Sequence, residues 1–188
     1  ILLKIIKKKI KDQKIIWITK QILNNFDSKT KGLGMPLGNF TSQFFANLYL
    51  NELDYFVKHN LKAKYYIRYV DDFIILHKNK KRLEFFKKEI VNFLRCLNLK
   101  LHPDKSDIIP IQKGVSFLGY RVFYKYRLLR KRNLLSFRKK YEKLLDLYKN
   151  NNITKEEFKE KIQGWIGYAQ WANTYKFRNK ILKDIESL

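Results

Sequence analysis

Lys64-Tyr-Tyr-Ile-Arg-Tyr-Val70, then Asp71-Asp72, then Phe73-Ile-Ile-Leu-His77 is the stretch on which the fold turns. Two runs of β-branched and aromatic residues parted by two positions have the layout of an antiparallel hairpin. Its tip breaks a local rule. Two-residue hairpin loops favour Asn-Gly or Asp-Gly, because the tip needs positive φ. Asp71-Asp72 supplies no glycine and sets two negative charges side by side, a repulsion that costs stability. A rule broken without structural gain marks a place to look for function. A divalent cation would relieve the repulsion, and Mg²⁺ takes one or two carboxylates while keeping its other positions for water or phosphate oxygens. The plainer reading is a solvated turn, since Asp is a common turn residue.

Outward from the hairpin, the period is helical. Upstream, Phe44, Phe45, Leu48, Leu53, Phe56 and Val57 form an apolar stripe on a helix that starts near Ser42, with Thr41 or Ser42 as its N-cap. Gly32, Gly34, Pro36 and Gly38 exclude a helix from the loop before it. Residues 1–11 and 13–26 read as two short basic amphipathic helices parted near Asp12. Downstream, residues 82–97 form an amphipathic helix with Leu83, Phe86, Ile90, Phe93 and Leu94 inward. Short strands follow at 99–101 and 106–109, split by Pro103, and another pair at 115–118 and 120–124 hinges on Gly119. After about Tyr124 only helices are expected: one over 133–149, a second opened by the capping box Thr154-Lys-Glu-Glu157, and a third from near Asn173.

The composition is compatible with that frame and adds a partner. Of 188 residues, 41 are Lys or Arg and 17 Asp or Glu, a net charge of +24. Such an excess favours a polyanion, nucleic acid first and acidic membrane surface second, although a biased genome also enriches lysine. Hydrophobic residues at 45% exclude a disordered chain. Cys96 stands alone and His59, His77 and His102 are scattered, so neither a disulfide framework nor a spaced His/Cys metal site is expected. No apolar run approaches the length that spans a bilayer, and a reducing cytoplasm fits best. The chain begins without methionine, directly in a helical pattern, which suggests a fragment.

Tyr69-Val70-Asp71-Asp72, with Tyr-Ile-Arg before and Phe-Ile-Ile-Leu after, resembles the catalytic YVDD hairpin of reverse transcriptases. The surrounding motifs come in that family's order. Gly34-Met-Pro-Leu-Gly-Asn-Phe-Thr-Ser-Gln-Phe-Phe-Ala-Asn47 resembles the loop and helix beneath the incoming nucleotide and template. Pro36 and Gly38 there allow backbone to approach a base pair closely. Leu99-Lys-Leu-His-Pro-Asp-Lys105 resembles the segment that brings a lysine near the nucleotide phosphates. Gly114-Val-Ser-Phe-Leu-Gly-Tyr120 resembles the primer-grip turn, although a tight hairpin with core aromatics explains the same residues. The resemblance implies an α+β fold, a partial polymerase palm over 1–125 with an antiparallel sheet and packed helices, then a small all-helical thumb over 126–188. It assigns Asp71 and Asp72 to catalysis and metal binding. Nucleotide and template fall to Pro36, Leu37, Gly38, Ser42, Gln43, Tyr69 and Lys105, and primer grip to Phe117, Leu118 and Gly119. The implied cofactors are two Mg²⁺ ions, with Mn²⁺ as a substitute, serving a nucleotidyltransferase that joins dNTPs to a primer on an RNA template.

Leu37 and Gln43 narrow the resemblance. Reverse transcriptases related to group II introns mostly carry Gln and Pro at these places, whereas Leu-Gly-x-x-x-Ser-Gln resembles the enzymes of bacterial and phage diversity-generating retroelements. Those copy template adenines with errors and often work with a small basic accessory protein. Gly164-Trp-Ile-Gly-Tyr-Ala-Gln-Trp-Ala-Asn-Thr174 looks like that group's short thumb, and the Lys/Arg-dense stretch 121–143 fits the tracking of duplex phosphates, or equally a solvated helix face. Group II intron, retron and CRISPR-linked enzymes stay open, as does a catalytically silent RNA-binding module. No Asp-x-x-x-Phe-Phe pattern occurs to supply the family's first metal-binding aspartate, and Asp12 and Asp27 sit in helix-end or loop contexts. Two of three expected carboxylates leave the expectation that these 188 residues do not polymerise alone.

Overall fold

The computed structural model describes residues 1–25, 34 and 40–187. They form two compact units, Ile1–Ile108 and Ile109–Leu188. The fold class is α+β, with two antiparallel sheets and seven α-helices among the described residues.

The first unit opens with α1 (Leu2–Lys9) and α2 (Gln13–Asn24). Ile5 and Ile6 are buried from α1, and Lys7, Lys8 and Lys9 crowd its C-terminal end, where the helix dipole favours cations. Asp12 separates the two helices as the N-cap of α2, its Oδ1 accepting from the amides of Lys14 at 2.7 Å and Ile15 at 3.3 Å. Helix α3 (Phe40–Tyr55) starts earlier than its sequence suggests. Thr41 and Ser42 therefore sit inside the first turn and do not cap it. Phe44 on the expected apolar stripe is 61% exposed, while Phe45 and Leu53 are buried.

Helix α3 runs on into a π-helical turn, Phe56–Asn60, that sequence periodicity does not announce. The Leu61 amide reaches back five residues to the Phe56 carbonyl at 3.0 Å. The wider turn keeps Val57 and Leu61 facing inward with Leu53, against Phe86, Ile90 and Leu94 of α4 (Lys80–Cys96). Phe56 stacks on Phe93 of α4 with centroids 4.2 Å apart. Strands β1 (Tyr65–Tyr69) and β2 (Asp72–Leu76) pair antiparallel and lay Tyr66, Phe73 and Ile75 on this core. The opposite face of the hairpin carries Tyr65, Ile67, Tyr69 and Leu76, each 47–57% exposed. The segments expected as strands at 99–101 and 106–109 are not strands. Pro103 removes a ladder donor, and Pro103–Lys105 instead forms a single 3₁₀ turn.

The second unit begins with β3 (Val115–Phe117), β4 (Tyr120–Val122) and β5 (Arg127–Leu129), an antiparallel meander in that order. Strand β5 corrects the expectation of helices alone after Tyr124. Its three residues are too few for period-two alternation to show, and Leu128-Leu129 among arginines also suits a helix. Stacked Phe123 and Tyr126 close the β4–β5 connection, with the Phe123 amide on the Tyr126 carbonyl at 2.9 Å. Helices α5 (Lys131–Lys149), α6 (Lys155–Ala169) and α7 (Tyr175–Glu186) follow. Phe137, Leu144, Phe158, Ile162, Ile181 and Ile185 make their core, and Phe137 stacks on Trp165 at 3.5 Å. Thr154 and Glu157 form the reciprocal capping box at the start of α6.

Candidate active site

The hairpin register moves the tip by one residue. Tyr69 pairs with Asp72, so the two-residue loop is Val70-Asp71 and Asp72 is the first residue of β2. Val70 has φ +54°, the left-handed region that a β-branched side chain adopts only under strain. Asp71 is not in that region, so positive φ falls on the first loop position alone, the sign pattern of a type II′ turn. The glycine missing from the sequence is thus paid for by strain at Val70.

Both carboxylates face solvent. Among the described residues neither forms an ion pair or a side-chain hydrogen bond, in a chain with 24 excess positive charges. Asp72 shares a face with Tyr69, its cross-strand partner, while Asp71 belongs to the loop. Two exposed, unpartnered, hard oxygen donors suit a divalent cation of the Mg²⁺ kind, which needs only one or two carboxylates from protein. No group of three His, Cys, Asp or Glu side chains is gathered for a metal among the described residues.

What holds the strained tip is a network that the sequence reading missed. Arg68, in β1 on the inward face with Tyr66, donates from Nη1 to the Val70 carbonyl at 2.6 Å and to Asn47 Oδ1 at 3.0 Å. Its Nε and Nη2 grip both oxygens of Asp54 on α3, at 2.7 and 2.6 Å. Tyr66 Oη donates to Asp54 Oδ1 at 2.6 Å. A charge on the buried face of an alternating strand needs a partner, and that was the signal available at Arg68.

The charges reinforce one another. Burial raises the Asp54 carboxyl, but the hydrogen bonds from Arg68 and Tyr66 and the Arg68 charge outweigh it and leave it below its ordinary value. The same pairing raises Arg68, chiefly through the hydrogen bond to Asp54. Burial, then the bond to Asp54, drive Tyr66 well above the ordinary phenol range. A depressed carboxyl contributes stability that is present above its unfolded value, about pH 4, and is lost as pH falls through the folded one. A raised phenol contributes stability that is full below about pH 10 and is lost as pH rises. Urea midpoints measured across pH are therefore expected to fall at both ends, and Asp54→Asn to flatten the acid side. An unaltered acid slope in that variant would refute the assignment.

The remaining sequence-derived candidates fall as follows. Pro36, Leu37 and Gly38 lie outside the described residues. Ser42 and Gln43 occupy the first turn of α3, Ser42 half-buried and Gln43 exposed. Tyr69 is 56% exposed beside the carboxylates. Lys105 is exposed at the end of the 3₁₀ turn in the same unit. Phe117, Leu118 and Gly119 are in the second unit, where Leu118-Gly119 is the β3–β4 loop. Its φ values of +48° and +85° fit a type I′ turn. The Gly119 carbonyl accepts from the Arg130 amide at 3.2 Å, Tyr168 Oη at 3.0 Å and Asn133 Nδ2 at 3.3 Å. Tyr120 Oη in turn donates to the Tyr168 carbonyl at 2.8 Å. The turn is therefore bolted to α5 and α6. Nearby in this unit, Arg127 lies over the exposed Trp171 ring at 5.8 Å.

Comparison with known proteins bears on this geometry. Protein P of duck hepatitis B virus, isolate Shanghai/DHBVQCA34, is 26% identical over 91 residues, 48% of this chain and 11% of that protein. Protein P of the strain United States/DHBV-16 is 27% identical over 87 residues, 46% and 10% respectively. The aligned region spans about a tenth of the length of these relatives. A family model described as reverse transcriptase (RNA-dependent DNA polymerase) matches residues 2–122. That match takes in α1 to α4, the hairpin with Asp71 and Asp72, and strands β3 and β4, and the chain belongs to the reverse transcriptase family.

Proposed function

We propose that this chain carries the catalytic hairpin of an RNA-directed DNA polymerase and that Asp71 and Asp72 are its metal-binding carboxylates. The observation behind the reading is a pair of exposed acids with no protein partner among the described residues, held on a strained turn in a family of nucleotide-polymerising proteins. Bound there, Mg²⁺ ions, or Mn²⁺ in their place, would activate the primer 3′-hydroxyl and neutralise charge on the departing pyrophosphate. The chain's own work is to present the two carboxylates at a fixed point, to offer Tyr69 and Lys105 to the nucleotide, and to bind template and primer phosphates with its excess cations. On this reading residues 1–125 serve as palm and 126–188 as thumb. Strands β3 and β4 would then be palm strands tied to the thumb helices through Gly119 and Tyr168. Ser42, Gln43 and the loop residues Pro36, Leu37 and Gly38 would lie under the base pair being formed.

Primer extension on a primed RNA template is the test, with Asp71→Ala in the full-length protein. Loss of synthesis with RNA affinity retained fits a polymerase. Unchanged synthesis rules the reading out and leaves a basic RNA-binding module.

The retroelement subgroup is a finer proposal that rests on Leu37 and Gln43. A branched apolar side chain at Leu37 offers no amide to the incoming nucleotide, so base selection loosens. Sequenced products are expected to carry substitutions concentrated opposite template adenines, and Leu37→Gln to reduce them. Uniform errors at all four bases would remove the diversity-generating assignment and favour the group II intron or retron kind. A small basic accessory protein and a template from the same element belong to the same proposal.

A further inference from the structure

We infer that Asp54 and Arg68 are positioning residues for the Asp71–Asp72 pair, acting through the backbone of Val70. The inference rests on the metal-binding role proposed for that pair. Val70 occupies φ +54° although its branched side chain disfavours that region, so the turn relaxes unless something holds it. The holding contact is the Arg68 guanidinium, which donates to the Val70 carbonyl at 2.6 Å. That carbonyl belongs to the peptide unit leading into Asp71, so fixing it fixes the direction in which the first carboxylate leaves the hairpin.

A single hydrogen bond from a free arginine would be a weak restraint, but this arginine is not free. Asp54 engages Nε and Nη2 together, a bidentate grip that sets the guanidinium plane as well as its position. Asn47 takes a further bond from Nη1. Asn47 and Asp54 both belong to α3, whose Leu53 is fully packed in the core. The side chain of Arg68 is 11% exposed and that of Asp54 27%, so water competes little at the arginine. The carboxylates, which have no protein partner among the described residues, are thereby aimed by a chain of contacts that ends in the hydrophobic core. Lysine could not replace Arg68, because a point charge cannot hold a carboxylate with two parallel bonds and a carbonyl at once.

Supports of this kind typically alter metal affinity by about 10- to 100-fold. The test is Mn²⁺ titration of the full chain followed by electron paramagnetic resonance, reading the binding that Asp71→Asn removes. Asp54→Asn and Arg68→Gln are each expected to weaken that binding by about tenfold or more. The double variant is expected to be no worse than the weaker single, since both act on one carbonyl. Asn47→Ala, which leaves the Asp54 grip intact, is expected to weaken it less and in the same direction, and serves if the other variants fail to fold. A merely structural role would lower the melting temperature without changing Mn²⁺ affinity in the folded protein. Full affinity in Asp54→Asn, Arg68→Gln and Asn47→Ala, with Asp71→Asn still abolishing binding, overturns the positioning role and spares the metal site. Mn²⁺ binding indifferent to Asp71→Asn removes the metal site itself, and this inference with it.

Discussion

Replacing Asp71 and Asp72 together by asparagine in the full-length protein is expected to reduce primer extension by at least about 10³-fold while leaving the fold's stability within about 0.5 kcal/mol. The two halves of this expectation have one source. Neither carboxylate has an ion-pair or hydrogen-bond partner among the described residues, so no folded contact is lost with the charges. Asparagine keeps the shape, and the mutual repulsion of adjacent acids disappears. The net charge rises from +24 to +26, a small change in a self-repulsion that is already large. Catalysis, by contrast, draws several kcal/mol from metal-bound charge stabilisation, and each 1.36 kcal/mol is tenfold in rate. Thermal melting, a filter-binding isotherm on RNA and a primer-extension time course on the same preparation separate the effects. A variant that melts normally, binds RNA normally and still extends primers within tenfold of the parent would defeat the proposed function.

How much of this was legible beforehand depended on how far apart the deciding residues lie. The hairpin could be read because its two strands are adjacent in sequence and alternate, and Asp12 and Thr154 could be read as caps because capping is local. The error of one position at the tip came from treating Val70 as a strand residue. Its branched side chain argues for strand on propensity, and only the pairing of Tyr69 with Asp72 places it in the loop. The π-helical turn at Phe56–Asn60 was invisible because an extra residue in a helix leaves apolar spacing almost intact. Strand β5 was hidden by its length. The Asp54–Arg68 pair was hidden by separation, since the partners stand fourteen positions apart in the chain and on different elements. In the sequence Arg68 stands only as a flank of the motif. Its role follows from burial on the inward face, which a single sequence shows only once the register is fixed.

Gly119→Ala is expected to destabilise the second unit by about 2–4 kcal/mol, a fall in melting temperature of roughly 10 °C or more for a unit of this size. Two independent costs add. The residue sits at φ +85°, where an L side chain pays about 1–2 kcal/mol. A Cβ there would also lie 2.3 Å from Tyr168 Oη and 3.0 Å from Asn133 Nδ2. Tyr168 cannot yield cheaply, because the same hydroxyl donates to the Gly119 carbonyl and accepts from Asn133 at 2.9 Å. Moving it gives up bonds worth about 1 kcal/mol each. Glycines on α6 provide the control. Gly164 and Gly167 have nothing within 4 Å of an added Cβ, so alanine at Gly164 is expected to stabilise the helix by about 0.5–1 kcal/mol. Opposite signs for the two glycine-to-alanine changes, measured by thermal melting on one chain, would tie the cost to the turn's conformation and its anchor on Tyr168. A neutral Gly119→Ala would mean that the β3–β4 turn is free to shift, and the attachment of Phe117-Leu118-Gly119 to the helices would lose its support.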